Sequence, residues 1–381
     1  MPGAGRPELS GNRFAVTYHL IGTEAEAKVR AADICLEQTV ELPEDLVMDE
    51  NIRQGIFGQV VSFRPLEPGT FEAIISFAVE TCGPELTQLL NVVFGNISLK
   101  PGIRVEYLDL PESLLQWFKG PRFGREGLRA WLGVPDRPLL CTALKPMGLS
   151  ATEMAELAYR LALGGIDMIK DDHGLADQPF CRFEERVKRC AAAVDRANRQ
   201  TGHRCIYMPN VTAPADQVVE RALFAKSNGA GGLLISPGLT GLDIVRRIGE
   251  DNRIGLPIMS HPAFQGGFAI HPQSGLSHFV LFGQITRLAG ADACIFPNYS
   301  GRFYFTRDEC RRLSQGTVSP MGHIKPIFPT PAGGMSLEHV PEMREVYGRE
   351  VIFLIGGGLH RHSPDLVENC RYFRGLVEEN W

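Results

Sequence analysis

The sequence predicts an α/β protein, an eight-stranded parallel (β/α)8 barrel preceded by a small α+β domain, and three observations predict it. First, from Leu139 onward short apolar runs recur eight times, at a spacing of roughly 25–40 residues that suits a barrel of about 250 residues. Second, each run is bounded by Gly, Pro or Asn, and helix-length segments separate them. Third, the first part of the chain carries partly alternating strands mixed with a helix, a different pattern from the rest.

The elements follow in order. In the N-terminal domain, RFAVTYHLIG, FRPLEPGTFEAIISFAVE and GIRVEYLDLP contain strands, and PELTQLLNVVF is helical. This is a ferredoxin-like α+β arrangement over residues 1–120, with the barrel and a short helical tail over 121–381. The boundary lies near the loop FKGPRFGREG (118–127), whose Gly, Pro and Arg content suits a linker. The barrel runs are LLCTALKP (139–146), IDMIKDD (166–172), CIYMPNV (205–211), GGLLISP (231–237), PIMSHP (257–262), DACIFPN (292–298), IKPIFPT (324–330) and VIFLIGGG (351–358). Near-continuous apolar strands alternating with helices imply a parallel sheet buried on both faces. A doubly wound sheet is the alternative, but no GxGxxG follows the first strand and eight near-equal units favour closure.

Composition excludes several classes. With 381 residues the chain has room for about two domains. A net charge of −5 and no basic run argue against a nucleic-acid partner. No apolar stretch approaches the roughly 20 residues of a membrane span, and MPGAGRPELSGNRF lacks a signal-peptide core. The nine cysteines are scattered without a CxxC pair, which suits small core residues in a reducing compartment. A cytoplasmic protein is expected.

In such a barrel the chemistry sits at the carboxyl ends of the strands. Those ends carry Lys145 after the first strand, Lys170, Asp172 and His173 after the second, Asn210 after the third and His261 after the fifth. Strand alternation puts Lys170 and Asp172 on one face and Asp171 on the other, toward the helix layer. Lys170 is either an ion-paired lysine or an amine whose burial lets it lose its proton and react. Gly333-Gly334 and Gly356-Gly357, after the last two strands, either permit tight turns or leave backbone N–H groups open to a phosphate.

The stretches RPLLCTALKPMGLS, GGIDMIKDDHGLADQPFCRF and FLIGGG, with EQTVE and FGN nearer the N-terminus, resemble the large subunit of ribulose-bisphosphate carboxylase, RuBisCO. The resemblance covers essentially the whole chain. It implies that Lys170 is carbamylated by CO2 and binds Mg2+ with the acidic residues that follow. It further implies that Lys145 moves protons at the reacting carbon, that His261 and His278 are active-site histidines, and that Gly333, Gly334, Gly356 and Gly357 hold a phosphate. Glu37 and Asn96 match residues that complete the partner subunit's site, so a homodimer with shared active sites is implied.

The departures from the family pattern concern carboxylation. The loop after the sixth strand, PNYSGRFYF, has no lysine, KPMGL lacks the family's second lysine, and Pro262 and Ala332 replace an arginine and a serine. His173 stands where the family has a metal-binding glutamate. The expectation is therefore a RuBisCO-like protein that enolises a singly phosphorylated sugar, of the 5-methylthioribulose-1-phosphate isomerase type, and fixes no CO2. The alternatives are a decarboxylase or transcarboxylase of a 3-oxo sugar-acid phosphate (3-oxo-isoapionate-4-phosphate type) and a catalytically silent sugar-phosphate-binding protein. Lys170, Asp172 and His173 form the expected metal set, open to weakly held Mg2+, to a softer divalent ion or to no metal at all.

Overall fold

The computed structural model of the protein describes residues 9–378. These fall into two compact units. The first comprises residues up to Phe118 with 266–281 and 320–324; the second comprises 119–265, 282–319 and the chain from Lys325 onward. Among the described residues the strands are, in order, β1 (Arg13–Ile21), β2 (Gln59–Glu67), β3 (Thr70–Ala78), β4 (Ile103–Asp109), β5 (Leu139–Leu144), β6 (Met168–Asp171) and β7 (Ile206–Met208). They continue with β8 (Leu233–Ile235), β9 (Ile258–Ser260), β10 (Gly275–Leu276), β11 (Ala293–Pro297), β12 (Phe328–Ala332) and β13 (Ile352–Leu354).

The first unit is built on one sheet of order β10-β4-β1-β3-β2. Its first four strands in the chain pair antiparallel, and β10 joins β4 in parallel. Alternation along β1 buries Phe14, Val16, Tyr18 and Leu20 and leaves the intervening side chains half-buried. The helix Glu24–Glu37 packs on this sheet and buries Ala27, Ala31 and Ile34 at helical spacing. Its start is fixed by Thr23 and Glu26, each of which accepts the other's backbone N–H. The buried Tyr18 hydroxyl donates to Val93 O at 2.8 Å, tying β1 to the helix Leu86–Phe94.

The second unit holds eight parallel strands in two ladders, β13-β5-β6-β7 and β12-β11-β9-β8. A parallel bridge between Asn210 and Leu234 links the ladders on one side, and β12 lies beside β13 on the other. The eight runs named from the sequence are these eight strands. Their inward side chains, Cys141, Met168, Met208, Leu234, Met259 and Leu354 among them, form a single cluster that draws on every strand. Leu128 and Leu132 from the helix Gly124–Leu132 join the same cluster. A barrel interior filled by side chains is a core, so ligands must sit at its rim. The helix Ala151–Leu163 shows how the outer layer is made: Ser150 and Glu153 cap it reciprocally, and Met154, Ala158 and Leu161 face inward.

All nine cysteines are buried and free. Among the described residues no helix is long and apolar enough to cross a membrane.

Candidate active site

The inward phase of each strand, extended past its last core residue, names the side chains of the rim. From Cys141 it runs through Ala143 to Lys145, and from Met168 to Lys170 and Asp172. From Met208 it reaches Asn210, from Met259 His261, and from Leu354 Gly356. In the ladder Lys170 lies between Ala143 of β5 and Met208 of β7.

Asp171 has the opposite phase and meets the helix Phe183–Thr201. Its carboxylate receives Arg186 Nε at 3.0 Å, Tyr207 OH at 2.7 Å and the Asn210 N–H at 2.9 Å. Asp171 and Arg186 are both fully buried. Asn210 also holds the turn beyond β6, where its Nδ2 donates to His173 O at 3.0 Å and Leu175 O at 2.8 Å. Asn210 was visible as a strand end, but its clamping role depends on a partner loop more than 30 residues away.

The other phase assembles a charged cluster. Lys145 Nζ lies 2.8 Å from Asp172 Oδ1, and His173 Nδ1 lies 3.5 Å from the same oxygen. Asp172 Oδ2 accepts no hydrogen bond among the described residues. Burial pushes the Asp172 carboxyl up, but hydrogen bonds from His173 and Lys145 and the charges of Lys145 and Lys170 outweigh this and hold it well below the usual carboxylate range. Lys170 is buried, its Nζ donating to Asp171 O at 3.0 Å, and desolvation lowers its pKa. The rings of His173 and His261 stack at 4.5 Å and 6°. Burial and the nearby charge of Lys170 hold His261 neutral, far below the ordinary imidazole value. Its Nδ1 accepts the Ala263 N–H at 3.1 Å, which leaves the ring proton on Nε2.

The glycines complete the rim. Gly333 and Gly334 adopt φ of +93° and +102°, a region that favours glycine. The loop after β11 lies against them: Asn298 N–H donates to Ala332 O at 2.8 Å and Arg302 N–H to Gly333 O at 2.7 Å. Around Gly357 the space where a side chain would start is open, and the same space at Gly356 is 3.7 Å from Lys145 Cε.

The remaining predicted residues belong to the first unit. Asn96 Nδ2 donates to Glu37 Oε1 at 3.0 Å and to Glu41 Oε1 at 3.1 Å, and Lys100 Nζ pairs with Asp33 at 2.6 Å and Glu37 at 3.5 Å. His278 is buried just beyond β10, next to Ser277, whose N–H donates to Val105 O at 2.8 Å.

The donor set bears on a metal. Among the described residues no three His, Cys, Asp or Glu side chains converge as ligands. Asp172 nevertheless offers an open oxygen beside one that already holds a cation, Lys145. The neutral amine is the form of a lysine that adds CO2, and a carbamate on Lys170 would contribute oxygen donors. With that addition, Asp172 and His173 suit a divalent ion.

Residues 125–368 match the family of the ribulose bisphosphate carboxylase large chain, catalytic domain. The chain belongs to the RuBisCO large-chain family. The 5-methylthioribulose-1-phosphate isomerase of Rhodospirillum rubrum is 40% identical to this RuBisCO relative over 367 residues, covering 96% of each chain. The 2,3-diketo-5-methylthiopentyl-1-phosphate enolase of Bacillus pumilus is 31% identical over 96% of this chain and 92% of its own. A Rubisco-like protein from Rhodopseudomonas palustris has a crystal structure that superposes with a TM-score of 0.86 at 36% identity, over 97% of this chain and 98% of that one. RuBisCO-like relatives thus include enzymes named as isomerases and as enolases.

Proposed function

We propose that this RuBisCO-like protein enolises a singly phosphorylated ketose, as an isomerase of the 5-methylthioribulose-1-phosphate type. The observation that carries the reading is the pairing of Lys145 with Asp172 beside the buried Lys170 and the neutral His261. The likeness to the Rhodospirillum rubrum isomerase supports it.

Isomerisation of a ketose moves a proton from a carbon next to the carbonyl and returns one elsewhere. Lys145, on the inward face and with a flexible stem, carries that proton. Asp172 holds the lysine head in place when no substrate is bound. His261 presents its Nε2–H to a substrate hydroxyl or carbonyl oxygen, while Ala263 fixes its ring. Lys170, once carbamylated, would hold a divalent ion together with Asp172 and His173. The chemistry such an ion supplies is stabilisation of the negative charge that develops on the carbonyl oxygen. Gly333, Gly334, Gly356 and Gly357 would receive the phosphate on their backbone N–H groups. Glu37 and Asn96 would act in a partner's site, in a homodimer.

The test is incubation with 5-methylthioribulose 1-phosphate in D2O, followed by NMR. The expected result is deuterium at a carbon next to the carbonyl and growth of an isomeric ketose phosphate. Tight binding without exchange would instead identify a silent sugar-phosphate-binding protein, and release of a carboxyl group from a 3-oxo sugar-acid phosphate would identify a decarboxylase. Ribulose bisphosphate with labelled bicarbonate is expected to fix no carbon above background, since residues 297–305 lack a lysine and Pro262 has no guanidinium.

A further inference from the structure

We propose that Arg302 is the cation that binds the substrate's phosphate group at the glycine rim, and so sets the preference of this chain for phosphorylated sugars. The inference rests on the reading of Gly333, Gly334, Gly356 and Gly357 as the phosphate cradle.

The stretch PNYSGRFYF (297–305) draws notice for the lysine it lacks, yet it carries one cation, Arg302. That cation is tied to the cradle. The backbone N–H of Arg302 donates to Gly333 O at 2.7 Å. Its stem lies over the bare backbone of Gly334, so that a Cβ on Gly334 would stand 2.6 Å from Arg302 Cγ and 3.0 Å from its N. The loop is anchored from behind by Asn298, which bonds to Ala332 O through its N–H and accepts from the Tyr347 hydroxyl. The absence of a side chain at Gly334 therefore does two things: it allows φ of +102°, and it lets an arginine settle against the loop.

The charges nearby single out Arg302. Lys145, whose stem approaches the other glycine loop, is paired with Asp172. Lys170 is buried and bonded to Asp171 O. Arg302 is exposed, and among the described residues no carboxylate pairs with it; its guanidinium carbon lies 5.7 Å from the centre of the Phe303 ring. Backbone N–H groups alone are neutral donors. A guanidinium adds charge-assisted bonds in a fork that matches phosphate oxygens, roughly twice as strong as neutral ones.

Titration calorimetry on the full chain tests this with three probes: inorganic phosphate, 5-methylthioribulose 1-phosphate and the dephosphorylated 5-methylthioribulose. Arg302→Ala should weaken both phosphorylated probes by roughly ten- to a hundredfold, the range for a lost hydrogen bond to a charged group. Binding of the dephosphorylated sugar should not change. Arg302→Lys, which keeps charge and stem on Gly334, should recover part of the loss. If Arg302→Ala binds both phosphorylated probes as wild type does, or loses the dephosphorylated sugar equally, the role of Arg302 is overturned while the enolising function stands. If wild type binds no sugar phosphate, both readings fall together.

Discussion

Asp171 and Asp172 are neighbours in the chain, and the two faces of β6 give them opposite surroundings. Outside the barrel, Asp171 is fully buried and receives Arg186, the Tyr207 hydroxyl and the Asn210 N–H, which occupy both oxygens. At the rim, Asp172 has Lys145 and His173 against one oxygen, and its other oxygen accepts no hydrogen bond among the described residues. A carboxylate with its partners locked in helix and strand has no capacity left for a ligand. One whose partners are a flexible lysine and an exposed histidine can exchange them. On the proposed function, the difference separates a residue that builds the barrel from one that works in it, although the sequence writes them identically.

The sharpest way to break this contrast is to remove Lys170, which shares the working face. Lys170→Met keeps most of the buried volume and should lower turnover of 5-methylthioribulose 1-phosphate by roughly 10²–10³-fold, the span expected when stabilisation of the charge developing on the carbonyl oxygen is lost. The thermal unfolding midpoint should stay near that of wild type, since a buried amine is replaced by a thioether of similar size. Retained turnover would remove Lys170 from the mechanism.

On the other face the expected effect is on stability. Arg186→Ala leaves the Asp171 charge buried with only its two neutral partners, Tyr207 and the Asn210 N–H. Loss of one member of a buried ion pair costs about 3–5 kcal/mol. Urea unfolding should show that loss as a lower midpoint. A midpoint close to wild type would mean that Asp171 is not the anchor its contacts describe.

A smaller effect separates the glycines. Gly334 needs positive φ and has Arg302 against it, whereas a side chain on Gly357 would enter open space. Gly357→Val should therefore fold normally and weaken sugar-phosphate binding by roughly tenfold by blocking close approach to the backbone. Unchanged calorimetric affinity would move the phosphate away from the last strand.

Much of this was legible in the sequence because strand alternation is local. Lys170 and Asp172 on one side and Asp171 on the other follow from a period of two, and all eight barrel strands were marked by apolar runs with Gly, Pro or Asn at their ends. What alternation cannot reveal is the partner of each group. Arg186 lies 15 residues beyond Asp171 and Tyr207 lies 36 beyond, so the anchor forms only when helix and strand close on β6. Gly275–Leu276 is too short for any periodicity, and its addition to the first unit's sheet had no signal. Arg302 carried no signal in the sequence, because its distinction is contact with a glycine that follows it by more than 30 residues.

His173 tests the working face most finely. Its Nδ1 stands 3.5 Å from Asp172 Oδ1 and its ring stacks on His261, so it can act either as a ligand beside Asp172 or as a lid on His261. An imidazole suits Mn2+, Co2+ or Zn2+, whereas Mg2+ favours oxygen donors. If His173 is a ligand, His173→Glu supplies a second carboxylate and should raise the affinity for Mg2+ relative to Mn2+ by roughly tenfold, about 1.4 kcal/mol. Chelator-stripped protein titrated with each ion, read by the unfolding midpoint as well as by turnover, measures that ratio. An unchanged ratio with altered turnover would assign His173 to the stack on His261. If stripped wild-type protein turns over its substrate undiminished, no ion takes part, and Lys145 with His261 must carry the proton transfer alone.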